Sequence, residues 1–131
     1  MIKTLLTLLF LFTHCFAEAE ASIEEQKIQF LLDSVEKSEV IFIRNAKEHT
    51  AAEARKHLEN KMNYARRAFW LFGPKVDITV ENFITKIASS SSTSKKEYQV
   101  KLKDGTLMKT SLWLRQRLKD FKQNSPVPSK K

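Results

Sequence analysis

Apolar residues recur at Ile28, Leu31, Leu32 and Val35, the i, i+3, i+4, i+7 spacing that lays one stripe along a helix. Glu24 and Glu25 precede the stripe and Lys37 follows it, the order a helix dipole favours. The pattern predicts a first helix over 22–38. Val40-Ile41-Phe42-Ile43 is a β-branched and aromatic run closed by the polar Arg44-Asn45, and it predicts a short buried strand. Thr50-Ala51-Ala52-Glu53 then has the form of a capping box. In such a box the threonine hydroxyl accepts from the amide three residues on, and the glutamate reaches back to the threonine amide. A second helix starts there, with Ala54, Leu58, Met62, Ala65 and Phe69 facing inward and Lys56, Asn60, Asn63 and Arg67 facing water. It ends before Gly73-Pro74, the strongest breaker pair in the chain.

Thr79 is placed to cap a third helix bearing Val80, Phe83, Ile84 and Ile87. The serine-rich stretch 89–94 can bury little of itself and reads as a loop. Tyr98-Gln99-Val100-Lys101-Leu102 alternates with period two, Asp104-Gly105 is a turn signal, and Leu107-Met108-Lys109-Thr110 can return as a partner strand. Ser111 then caps a last helix with Leu114, Leu118 and Phe121 on one face, followed by a disordered basic tail over 124–131. The sum is an α+β fold: about four helices around a small, mostly antiparallel sheet that contains a C-terminal β-hairpin.

The extreme N-terminus has a different character. Met1-Ile2-Lys3 supplies a positive charge, 4–16 is almost wholly apolar, and small residues follow at the spacing a signal peptidase requires. Residues 1–17 read as a cleavable export signal, with cleavage after Ala17 or Ala19. The apolar run is short for a hydrocarbon core of about 30 Å, so no transmembrane segment is expected after cleavage. Thr13-His14 before Cys15 does not suit a lipoprotein peptidase. Either cut removes Cys15, the single cysteine, so no disulfide can support the mature chain, and a periplasmic or secreted location follows.

At 131 residues, 42% hydrophobic and 29% charged, the chain has length for one core, over 22–123. Two glycines cannot build a Gly-rich phosphate loop or a dinucleotide fingerprint, which need several positions of close backbone approach. There is no C-x-x-C, H-E-x-x-H, D-x-D-x-D-G or G-x-S-x-G sequence, so no cofactor and no metal are indicated by motif. The 23 Lys and Arg against 15 Asp and Glu give a formal charge of +8. That charge alone supports salt-sensitive, sequence-blind contact with polyanions, and export argues against nucleic acid as the partner.

Several segments, in order, carry a family pattern: Phe42-Ile43-Arg44-Asn45; His49-Thr50-Ala51-Ala52-Glu53-Ala54 with His57-Leu58 and Lys61; Phe83-Ile84; Ala88-Ser89 with Ser91-Ser92, Ser94 and Tyr98; and Trp113-Leu114. Together they resemble the YfeK-like family of small exported bacterial proteins, over most of the mature chain. The resemblance implies a periplasmic location in a Gram-negative cell and no assigned activity. This chain departs from the pattern at Val40, where a cysteine is common, and at Ala46 and Lys95, where glycines are common.

The polar residues within these segments are Arg44, Asn45, His57, Lys61, Ser91, Ser92 and Tyr98. If the strand, the second helix and the serine loop converge, they form a basic, hydroxyl-rich pocket suited to a carboxylate, a phosphate or a sugar acid. The competing reading has the same groups tying backbone ends together. His49, Glu53 and His57 share a helical spacing that could face a metal, but Glu53 is claimed by the capping box. Ser91 or Ser92 with His57 would need a base in reach and a group to orient it. Arg66 and Arg67 beside Trp70 and Phe72 join cations to large rings, a surface patch suited to a membrane interface or a protein partner. The favoured function is a non-enzymatic binding or interaction module engaging an anionic envelope component or a protein partner. The alternatives are a small hydrolase or metal-dependent enzyme using His57, and a peripheral membrane-surface protein.

Overall fold

A computed structural model describes residues 23–72 and 78–124, with the side chains of 69–72 and 122–124 outside that description. The export signal, the Gly73-Pro74 break and the tail beyond Asn124 fall outside the described residues. The first helix, α1, covers 23–36, and the four stripe residues Ile28, Leu31, Leu32 and Val35 are all fully buried. They pack in one core with Leu58 and Met62 of α2 (Ala51–Phe72). The two helices are also tied by charge. Arg55 donates to Asp33 at 2.6 Å and to Glu36 at 2.8 Å, and Arg66 pairs with Glu25 at 2.6 Å.

The sheet has four antiparallel strands in the order β2-β1-β3-β4, where β1 is Ile41–Arg44, β2 is Lys47–His49, β3 is Gln99–Lys101 and β4 is Leu107–Lys109. Phe42 stands opposite both His49 and Val100, and Val100 opposite Met108, so these four residues share one face of the sheet. Phe42 and Val100 on that face are buried in the core, and Phe42 meets Trp113 edge-on with centroids 5.8 Å apart. The predicted hairpin is present as β3 and β4. Its turn uses Gly105 at φ +87° and an Asp104 carboxylate that accepts from the Thr106 amide at 2.8 Å.

β2 is a correction to the sequence reading, which had the chain leave the sheet at Arg44-Asn45. Asn45 and Ala46 have φ of +51° and +62°, so two residues with left-handed backbone reverse the chain in a tight hairpin. Asn adopts that conformation readily. Alanine does not, and the turn therefore carried no sequence signal. The same conformation recurs at Lys95, φ +60°, in the serine loop. Both residues stand where the family resemblance implies glycine, and the backbone has kept the shape of those turns.

The third helix departs from the expected form. Thr79 caps it, accepting from Asn82 N at 3.1 Å, but after three α-helical residues, α3 (Val80–Asn82), it widens into a π-helical turn over Phe83–Ile87 closed by Ala88 N donating to Phe83 O at 2.9 Å. Glu24 of α1 supplies a second cap, accepting from Val80 N at 2.8 Å. The last helix, α4 (Thr110–Asn124), begins at Thr110 and not after Ser111, because the Thr110 amide is held by Tyr98 O at 3.0 Å and the chain turns directly out of β4. Leu114 is fully buried, and Trp113 joins it in the core.

An L-residue in left-handed backbone costs about 1–2 kcal/mol, partly offset by the extra freedom glycine gives the unfolded chain. Ala46→Gly should therefore raise the unfolding free energy by about 0.5–1 kcal/mol. Urea denaturation measures it, and an unchanged or lowered midpoint would contradict the strained turn.

Candidate functional site

The site forms where the last residue of β1, one face of α2 and the residue before β3 meet. His57 and Lys61 are four apart on α2 and rise on the same side of it. Arg44 reaches His57 through Nη1, 3.0 Å from Nδ1 and 3.4 Å from Nε2, and His57 Nε2 lies 3.0 Å from the Tyr98 hydroxyl. A guanidinium has donors only, so Nδ1 accepts from it. The ring hydrogen then sits on Nε2 and is donated to the Tyr98 oxygen, leaving the tyrosine hydrogen for another acceptor. Burial, and then the charges of Arg44, Lys61 and His49, hold the His57 pKa down at about 4, so the imidazole is neutral at ordinary pH. Burial pushes the Tyr98 hydroxyl up, against the pull of Arg44.

Lys61 donates to Ile87 O and to Ser90 O, both at 2.7 Å, and its Nζ lies 5.1 Å from the centre of the Tyr98 ring. The π-helical turn explains the first of these bonds: it ends at Ile87 and leaves that carbonyl to an outside donor. Burial, Arg44 and Lys95 bring the Lys61 pKa down to about 8, while two carbonyls and an aromatic face hold it as the ammonium. Among the described residues, neither Arg44 nor Lys61 forms an ion pair with a carboxylate.

Of the seven residues singled out from sequence, Arg44, His57, Lys61 and Tyr98 form one contact network. Asn45 and Ser91 close neighbouring turns. Asn45 Oδ1 accepts from Ser94 Oγ at 2.6 Å, and the buried Ser91 donates its amide to Lys96 O at 2.9 Å while its Oγ accepts from Ser94 N at 3.2 Å. Ser92 is exposed on the rim of an open recess shared with Lys61 and Lys86. Arg66 is engaged by Glu25 and Arg67 is exposed, while the side chains of Trp70 and Phe72 lie outside the described residues.

A cavity of about 300 Å3 opens beside the network. Phe42, Ala54 and Leu58 give it apolar walls, and Arg44, His57 and Tyr98 are part of its lining. His49 and Thr110 line it too, and sequence reasoning did not place either there. The two-residue turn at Asn45-Ala46 sets His49 opposite Phe42, and with alanine in that turn the register left no signal to read. Glu53, also in the lining, is held in the capping box: its Oε2 accepts from Thr50 N at 2.8 Å and its own amide donates to Thr50 Oγ1 at 3.3 Å. Among the described residues no group of three or more His, Cys, Asp or Glu side chains is placed to hold a metal ion.

The family described as Family of unknown function (DUF5329) matches residues 22–122, from α1 into α4. The chain belongs to that family. A relative from Salmonella typhimurium, Uncharacterized protein YfeK, is 38% identical over 76 residues, which is 57% of this chain and 57% of the relative. The chain thus matches little more than half the length of that curated relative. No solved structure matches it. No helix of the described residues is long and apolar enough to cross a membrane.

The buried imidazole makes stability depend on acid. His57 titrates near 4 in the folded chain against an ordinary value of 6.5, so the unfolded chain takes the proton first. Stability from this group is complete above pH 6.5 and is lost as pH falls toward 4. Thermal unfolding across that range should show the native chain losing about 1–2 kcal/mol more than His57→Gln, after allowance for solvent screening of a half-buried group. Parallel pH curves for the two proteins would contradict a neutral, desolvated His57.

Proposed function

We propose that the protein is an exported, non-enzymatic binding module of the periplasm whose Arg44 site takes an anionic group from an envelope component or a protein partner. The observation that carries this reading is a guanidinium anchored at Nη1 against a neutral imidazole, with no carboxylate paired to it among the described residues. A guanidinium carries five N–H donors in a fixed fork that matches two anionic oxygens. The Tyr98 hydroxyl adds a donor, and the charges of Lys61 and Lys95 raise the local positive potential. Export rests on the 1–17 segment, with its basic start, apolar stretch and small residues at the cleavage positions.

The same geometry disfavours hydrolysis. Both ring nitrogens of His57 are engaged, and an imidazole with a pKa of about 4 is a weak base at neutral pH.

Arg44→Gln should abolish the shifts that acetate or phosphate produces in the His57 and Tyr98 NMR signals of the native chain. Its melting temperature should change by no more than about 2 °C, because the half-buried Nδ1 left behind can bind water. Retained anion binding overturns the site, and a large loss of stability would make Arg44 a fold-holding group instead. Export has its own check. N-terminal sequencing of protein recovered from a periplasmic extract should begin at Glu18 or Glu20, and a chain beginning at Met1 in the cytoplasm would refute it.

A further inference from the structure

We infer that the cavity between β1, β2 and α2 is a binding site for a small amphipathic carboxylate, its acid group on Arg44, its apolar body against Phe42, Ala54 and Leu58, and a further hydrogen-bonding group near His49 and Thr110. This deepens the anion reading above and rests on it. The volume of about 300 Å3 lies at the small end of ligand pockets. Its walls are apolar and firm: Leu58 and Phe42 are 4% and 6% exposed, and Phe42 is braced by Trp113. An inorganic anion would use Arg44 and leave those walls bare.

Two buried polar atoms supply the second, independent observation. Among the described residues His49 Nε2 and Thr110 Oγ1 have no hydrogen-bond partner, and both residues line this cavity. Thr110 is 2% exposed, so its hydroxyl has lost water and gained nothing in return. The hydroxyl hydrogen can turn about the Cβ–Oγ1 bond, and a ligand hydroxyl close by would satisfy it. Such pairing would also explain why a threonine stands at a position where valine would fit the same space.

The charge inventory selects a monoanion. Arg44 lines the cavity and pairs with no carboxylate among the described residues, Lys61 is spent on two carbonyls, His57 is neutral, and the exposed Glu53 carboxylate and Lys56 ammonium, both in the lining, offset each other in net charge. A second negative charge on the ligand would meet the Glu53 carboxylate in the same lining as Lys56. A carboxylate satisfies the guanidinium fork in full.

Calorimetric titration of the full chain with 3-phenyllactate, 3-phenylpropionate, phenyllactamide, acetate and phosphate tests the inference. Phenyllactate should bind about tenfold or more tightly than acetate, since its ring leaves water, and the neutral amide should bind far more weakly than the acid. Ala54→Leu, which fills the cavity, should erase the advantage of phenyllactate over acetate while acetate binding persists. Ala54→Val is the milder replacement if the leucine variant does not fold. Thr110→Val should weaken phenyllactate by several-fold and leave 3-phenylpropionate unchanged. Equal affinity for acetate and phenyllactate would overturn the cavity assignment while sparing the anion site. Loss of all anion binding would remove both, and an amide that binds as well as the acid would make the cavity apolar without an anion.

Discussion

A single ammonium holds the polar side of this molecule together. Lys61 reaches out of α2 to the carbonyls of Ile87 and Ser90 and lies over the Tyr98 ring, so one side chain joins a helix, the end of a π-helical turn, the serine loop and the residue that leads into β3. The partners are neutral. A carboxylate at this position would have cancelled the charge, whereas carbonyls and a ring satisfy the ammonium and leave its field in place. Tyr98, fixed from below by that contact, orients His57 through its hydroxyl, and His57 in turn orients Arg44. The first of these contacts is a cation over a ring and the other two are hydrogen bonds, and because Arg44 can only donate, it sets which His57 nitrogen is left to face Tyr98.

Of the acids on α1 and α2, Glu53 borders this region but is held in the capping box, and the others are employed elsewhere. Glu24 caps α3 and Glu25 pairs with Arg66, while Asp33 and Glu36 of α1 and Glu59 of α2 converge on Arg55. These contacts staple α1 to α2 and to the start of α3. Most are partly exposed, and exposed pairs contribute little each, so burial of the α1 stripe carries the stability of that flank. What the pairs do is partition charge. One side of α2 is closed by acid and base together, and the other presents cations whose partners are uncharged.

The helices were legible wherever a period and a cap coincided. Ile28, Leu31, Leu32 and Val35 gave the first, and the Thr50 and Glu53 box gave the start of the second. Convergence of Arg44, His57, Lys61 and Tyr98 was legible only as a possibility attached to the family pattern, because Arg44 ends a strand, His57 and Lys61 share a helix, Tyr98 precedes another strand, and no local spacing relates a strand end to a helix face. Three features left no trace in the residues. Ala46 hides a turn that glycine would have announced, the extra residue of the π-helical turn is a tertiary accommodation, and Thr110 looks like strand until its amide is seen bound to Tyr98 O. Lys61 read as a ligand donor because it is one of the polar residues within the family-like segments. Its two carbonyl partners lie 26 and 29 residues away, beyond what a window along the chain can report.

The margins of the sheet have a consequence for how the molecule keeps company. β2 is three residues long, with Lys47 and Glu48 exposed on it, and β4 is also three residues long before the chain turns into α4. Neither border offers a neighbouring chain enough free amides and carbonyls in register to extend the ladder, and the charges on β2 make such growth dearer still. In a crowded compartment this protects a basic, single-core protein from self-stacking, and it leaves recognition to side chains.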